Sequence, residues 1–261
     1  MLRGMDDAPD VTITFRIPGT WETFEDFRSA LPDGCEVEEV KGGPRDGGAD
    51  FILPSGERAE LYVLPADEQF FGVFMGSVRN TPSAEEEDAV RNFTANVCLN
   101  CPGGSPENAA TAMFVAAHAV DAGGAGVFLD VSGVAHGAGD WLGMAADMSL
   151  DALTFAYVGL MGGGGEVTTI GMHVFGRPDF VMKEADAGQK NAEGKETIIE
   201  TMKYLAGTDR QFEAGHVLMV REDLSFRVSD AGPGDMPPDT PMFNPFGRVR
   251  LTSLRDIAES N

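Results

Sequence analysis

LTFAYVGLMGGGGEVTTIGMHVF, residues 153–175, decides the fold class. Leu153 to Met161 and Val167 to Phe175 are rich in aromatic and β-branched residues, and the run Gly162 to Gly165 separates them. Glycine supplies the positive φ of a tight turn, so the stretch predicts a β-hairpin, placed near the centre of a sheet. A second hairpin is predicted from Val217–Val220 and Ser225–Val228. Adjacent strands in a hairpin pair antiparallel, so antiparallel sheet is expected throughout.

Working outward, Val11 to Ile17 alternates: Val11, Ile13, Phe15 and Ile17 against Thr12, Thr14 and Arg16. That is a half-buried strand. Further strands are predicted over 36–40, 51–53, 59–64, 95–101, 127–131 and 180–182, with Arg248 to Ile257 closing the chain. Phe70 to Met75, apolar on both faces apart from Gly72, reads as a central strand.

Helices are marked by spacing and by their ends. Trp21, Phe24, Phe27 and Leu31 recur helically after Thr20 as a cap. Pro82 and the acids Glu85 to Asp88 suit a helix start, running to about Phe93. Ser105 and Pro106 open a helix that Gly123-Gly124 stops. Trp141 to Met148 and a segment carrying Ile198, Ile199, Met202 and Leu205 complete the set, while Gly42 to Gly48 and Gly133 to Gly139 read as loops. The class is α+β, with antiparallel-rich sheets and helices packed on one side. The loose recurrence of strand–helix–strands suggests two ferredoxin-like halves. One compact domain is expected over residues 10–257, with 1–9 as a tail and an internal break near 103–105.

The chain has 261 residues, 42 Asp plus Glu and 19 Lys plus Arg, for a formal charge of −23. That field repels phosphate backbones and anionic lipid, so neither nucleic acid nor a membrane is the expected partner. No apolar run reaches the ~18 residues of a membrane span, and the start lacks the apolar core of a secretory signal. A cytoplasmic location is the expectation, as a monomer or homodimer.

Candidate chemistry is sparse. Cys98 and Cys101 form a lone CxxC without the further ligands zinc needs, and the helix that would activate a redox thiol is delayed to Ser105. No bound metal or cofactor is expected. Gly133 to Gly139 fails the dinucleotide and phosphate-loop spacings, although its N–H groups at a helix start would suit an anion. None of His118, His136, His173 and His216 forms a metal-ligand spacing. His173 shares strand parity with Thr169, and Tyr157 and Asp130 lie on strands expected nearby. If the three converge, a His–carboxylate contact would support acid–base work in a small-molecule hydrolase or transferase. The plain alternative is a satisfied polar patch.

Residues 168–179, TTIGMHVFGRPD, follow a helix (108–122), a strand (126–131) and a Trp-bearing helix. This order and the Phe-Gly-Arg-Pro piece resemble the bacterial domain-of-unknown-function 4261 family over roughly residues 93–230, with Asp179 where that signature has Glu. The resemblance implies a cytoplasmic bacterial α+β protein and no particular activity. The leading functional expectation is therefore a non-catalytic binding or protein-interaction module. Its expected docking segment is Gly232 to Gly247, where Met236, Met242, Phe243 and Phe246 stand among five prolines.

Overall fold

The computed structural model describes residues 9–41, 48–187, 192–210, 212–232, 234 and 236–254. The tail 1–8, most of the 42–48 loop, Pro233, Asp235 and the end from 255 lie outside the described residues.

Along the first half run β1 (Thr12–Gly19), α1 (Phe24–Ala30), β2 (Glu36–Glu39), β3 (Ala49–Ile52), β4 (Arg58–Pro65), α2 (Phe70–Ser77), α3 (Ala84–Arg91), β5 (Ala95–Pro102), α4 (Pro106–Asp121), β6 (Gly126–Leu129) and β7 (Val134–Gly137). They build a seven-stranded antiparallel sheet, ordered β2-β3-β4-β5-β1-β6-β7. Then follow α5 (Ala138–Asp147), α6 (Leu150–Tyr157), β8 (Gly159–Gly163), β9 (Glu166–Ile170), a 3-10 turn (Met172–Phe175), β10 (Asp179–Lys183), α7 (Ala192–Gly207), β11 (Val217–Arg221), β12 (Leu224–Asp230) and β13 (Arg248–Ser253). Their six-stranded sheet has the order β11-β12-β13-β10-β9-β8, with one parallel pair, β10–β13.

The class is α+β with two mostly antiparallel sheets. One apolar core joins the inner faces of both sheets to α4–α7, from Ile13 and Phe15 in β1 to Phe226 and Leu251 in the second sheet. The chain passes from one sheet to the other after β7, so the break at 103–105 falls inside the first sheet's share of the chain. A ferredoxin-like half has four strands in βαββαβ order; sheets of seven and six strands correct that expectation.

Several elements differ from the sequence reading. Phe70 to Met75 is helical, not a central strand. Phe70 and Phe74, one turn apart, are buried, while Gly72 and Gly76 on the open side meet nothing. With α3 this helix covers the far face of the first sheet, against Phe128 and Ala135. Helices therefore flank that sheet on both faces rather than one. Residues 150–157 also form a helix. Ser149 caps it by accepting from the Ala152 N–H, and Ala152, Leu153, Ala156 and Tyr157 make its buried stripe. The hairpin survives as the shorter β8–β9 pair around Gly164-Gly165, whose φ values of 61° and 80° make a type I′ turn. It lies at the sheet's edge, not its centre. The cap of α1 is Thr23, in a reciprocal capping box with Asp26, rather than Thr20. Residues 134–137 are strand, not loop.

Candidate functional site

The structure does not bring Asp130, Tyr157 and His173 together. Arg16 and Phe128 are cross-strand partners, and Asp130 lies two residues past Phe128, on the face of the first sheet turned away from the main core. There the Nε of Arg16 reaches both Asp130 oxygens, at 2.9 and 3.0 Å. Burial raises the Asp130 pKa and Arg16 pulls it back. Tyr157 is in the opposite layer. Its ring packs edge-on or tilted against Phe15, Trp141 and Phe175, and its hydroxyl donates to the Ala109 carbonyl at 2.9 Å. Burial pushes its pKa well above 10, so the phenol is a structural donor.

His173 sits in the 3-10 turn, not on a strand. It is 3% exposed, and neither ring nitrogen completes a hydrogen bond. Burial lowers its pKa to about 4. It lines a cavity of about 330 Å³ with Thr12, Thr14, Asp239 and Thr240. Asp130 and Tyr157 are not in that lining.

The motif at 168–179 is a framework. Gly171 has φ 103°, and a Cβ there would meet the Tyr157 carbonyl oxygen. Asp179, 4% exposed, accepts from the Thr169 hydroxyl at 3.1 Å, the Met172 N–H at 3.2 Å and Asn244 Nδ2 at 2.8 Å. Burial still raises its pKa to about 6. Through Asn244 the loop before β13 is tied onto its own domain. Met242 lies against Gly133, and Pro241 and Phe243 line the His173 cavity. The loop expected to reach a partner is thus folded down, with Met236, Met242, Phe243 and Phe246 half-buried.

The helix start at Gly137–Gly139 already has its anion. The Gly139 N–H donates to Glu86 Oε1 at 2.8 Å, and a Cβ at Gly137 would strike the same carboxylate. Burial alone would raise the Glu86 pKa; the donors Gly139 and Ser83 more than offset it and lower it. Cys98 and Cys101, three apart on β5, project to opposite faces, one beside Arg16 and one into the main core. Burial raises them to about 11 and about 12. Among the described residues no three His, Cys, Asp or Glu side chains are placed to hold a metal ion. Nor, among them, is any helix long and apolar enough to cross a membrane.

A larger open surface feature than the His173 cavity lies elsewhere, between the sheet edges. Two hollows of about 590 and about 720 Å³ share Arg79, Phe155, Leu160 and Ile199, making one continuous groove. Leu160 is 44% exposed, Met161 50% and Ile199 44%. Met144 and Met202 line one end, Met236 and Met242 the other. Arg79 donates to the Val158 carbonyl and lies 5.0 Å over the Phe155 ring, which fixes the groove's floor. Helix α7 forms one wall, with Lys195, Ile199, Met202 and Lys203 at helical spacing. Sequence reasoning missed this groove. Ile199 and Met202 were legible as a helical stripe, but which side of that stripe stays uncovered depends on partners far along the chain.

No family model, no curated protein and no solved structure matches this chain.

Proposed function

We propose that the chain is a non-catalytic binding module and that its working surface is the groove floored by Phe155, Leu160 and Ile199. One observation carries the reading: four exposed apolar side chains, Phe155, Leu160, Met161 and Ile199, line a single concavity. Contiguous apolar surface of this kind marks interaction sites, and methionine-rich linings adapt to varied ligands. The 232–247 loop belongs to this surface through Met236 and Met242, as part of its wall rather than as a free arm. The formal charge of −23 favours a cationic partner through steering. The enzyme reading loses its basis, because the Asp130 carboxylate and the Tyr157 hydroxyl are committed to Arg16 and Ala109.

Selection of displayed peptides against the immobilised full chain tests this. Enriched peptides should bind the parent and Asp239→Lys alike and lose binding to Ile199→Asp. Peptides indifferent to Ile199, or no enrichment at all, would remove the reading.

A further inference from the structure

We infer that β8 is a docking edge, to which an extended segment of a basic partner protein adds as a seventh strand of the second sheet. The inference rests on the groove reading and names its occupant.

Exposed sheet edges invite pairing, and proteins guard them with charge, proline, bulges or cover. Three of the four edges here are guarded. Strand β2 carries Glu36, Glu38 and Glu39. Strand β7 is covered, since Val78 bridges to Ala135 and the Arg79 N–H donates to the Ala135 carbonyl. Strand β11 has a register shift between Met219 and Arg221. Strand β8, Gly159-Leu160-Met161-Gly162-Gly163, has no charge, no proline and no register shift.

The backbone groups it offers follow from the turn. In a two-residue type I′ hairpin the closing pair, here Gly163 and Glu166, is hydrogen-bonded, and hydrogen-bonded pairs alternate from there. Gly159, Met161 and Gly163 therefore face β9. Leu160 and Gly162 face outward. The bond from the Glu184 N–H to the Gly165 carbonyl fixes the same parity, because it turns the odd residues at this end of the hairpin toward β10. Among the described residues, no hydrogen bond is made to the outward N–H or C=O of Leu160 or Gly162.

The groove supplies what strand addition needs besides an edge: pockets on both faces for alternate side chains. Side chains of an added strand on the Leu160 face would enter the hollow of Phe155, Ile199 and Met202. Those on the other face would meet Met161, Met236 and Met242. Nothing lies within 4 Å of where a side chain would stand at Gly162 or Gly163, which leaves room for the partner's own.

Charge chooses the occupant. At the α5 end of the groove stand Asp140, Asp147 and Asp151. Asp151 is paired with Lys203 at 2.8 Å. Among the described residues, Asp140 and Asp147 accept only from the neutral Asn80 and Ser149. Arg79, the other cation in that hollow's lining, is held by Val158 and Phe155, and Lys195 lines the adjoining hollow rather than this end. An extended segment with alternate apolar residues and arginine or lysine at that end completes the arrangement. A second copy, also at −23, would be repelled.

The test uses the full chain, labelled with ¹⁵N, and a synthetic peptide of alternating valine and threonine with two arginines at one end. Two analogues carry N-methyl groups on alternate amides of opposite parity, and a third replaces the arginines with glutamates. The expected result is binding that slows exchange of the Leu160 and Gly162 amides at least tenfold. It should weaken at least tenfold with one methylation parity only, and weaken with the glutamate analogue and with added salt. Binding that Ile199→Asp abolishes, but that leaves both amides exchanging as before, would overturn strand addition and spare the groove reading. No binding by any peptide would remove both. If sedimentation shows a dimer with Leu160 and Gly162 already protected, a second copy holds the edge and the partner assignment falls.

Discussion

Asn244 Nδ2 donates to the Asp179 carboxylate at 2.8 Å across 65 residues of chain, and the same nitrogen donates to the Arg177 carbonyl at 2.9 Å. One amide thereby fastens the proline-rich loop to the 168–179 motif and sets Met242 against Gly133 at the groove wall. Asn244→Ala should cost about 1–3 kcal/mol, since it strands one oxygen of a buried carboxylate and a carbonyl. Denaturant unfolding measures the loss. Amide exchange across 236–247 should quicken in the same variant, and an unchanged loop would show that the anchor lies elsewhere.

Acid should destabilise the protein before its carboxylates titrate in bulk. Burial holds His136 and His173 at about 4, against about 6.5 when unfolded. Between those values the unfolded chain takes up protons that the folded chain refuses, so stability falls as pH drops from about 6.5 toward 4. Asp179 works the other way. Its folded value of about 6 exceeds the unfolded ~3.9, so its contribution falls as pH rises through that window. Two histidines outweigh one aspartate. The thermal midpoint should decline from pH 7 to 4.5, and His136→Gln with His173→Gln should flatten the slope or reverse it.

Gly171→Ala should be among the most damaging single changes. Its φ of 103° is unfavourable to any L side chain, and its Cβ would stand 2.5 Å from the Tyr157 carbonyl oxygen, which belongs to backbone that cannot step aside. We expect a loss of more than about 2 kcal/mol. Gly162→Ala is the matched control, with open space around it; it should fall within about 0.5 kcal/mol of the parent. Equal midpoints for the two would refute the packing argument.

What was legible in the sequence was whatever a local pattern decides. The alternation over Val11 to Ile17, the Ser105-Pro106 helix start and a turn within Gly162 to Gly165 each depend on nearby residues, and the structure has each. Phe70 to Met75 and Leu153 to Met161 read as strands because short apolar runs fit either period, whereas Phe70–Ser77 and Leu150–Tyr157 are helices. Only the packing of Phe70 against Phe128 and of Tyr157 against Phe15 selects the helix. The catalytic grouping failed for the same reason. Tyr157 turns with its helix into the core, and the strand parity assumed for His173 does not exist in a 3-10 turn. The groove was invisible because it lies between two sheet edges that meet only in three dimensions.

The cysteines give a last discriminating test. A strand reverses its side chains at every residue, so positions three apart face opposite ways, and Cys98 and Cys101 cannot close on one ion without breaking β5. Both are buried, with burial holding each as the thiol. Cys35 is half-exposed, and its partial burial raises the thiol pKa as well. Alkylation at pH 8 should therefore modify Cys35 first and reach Cys98 and Cys101 only on unfolding, as intact-mass measurement would show. Rapid labelling of Cys98 in the native state would mean that the Arg16 face opens. Stoichiometric zinc lost in Cys101→Ser would mean that β5 is not the strand described.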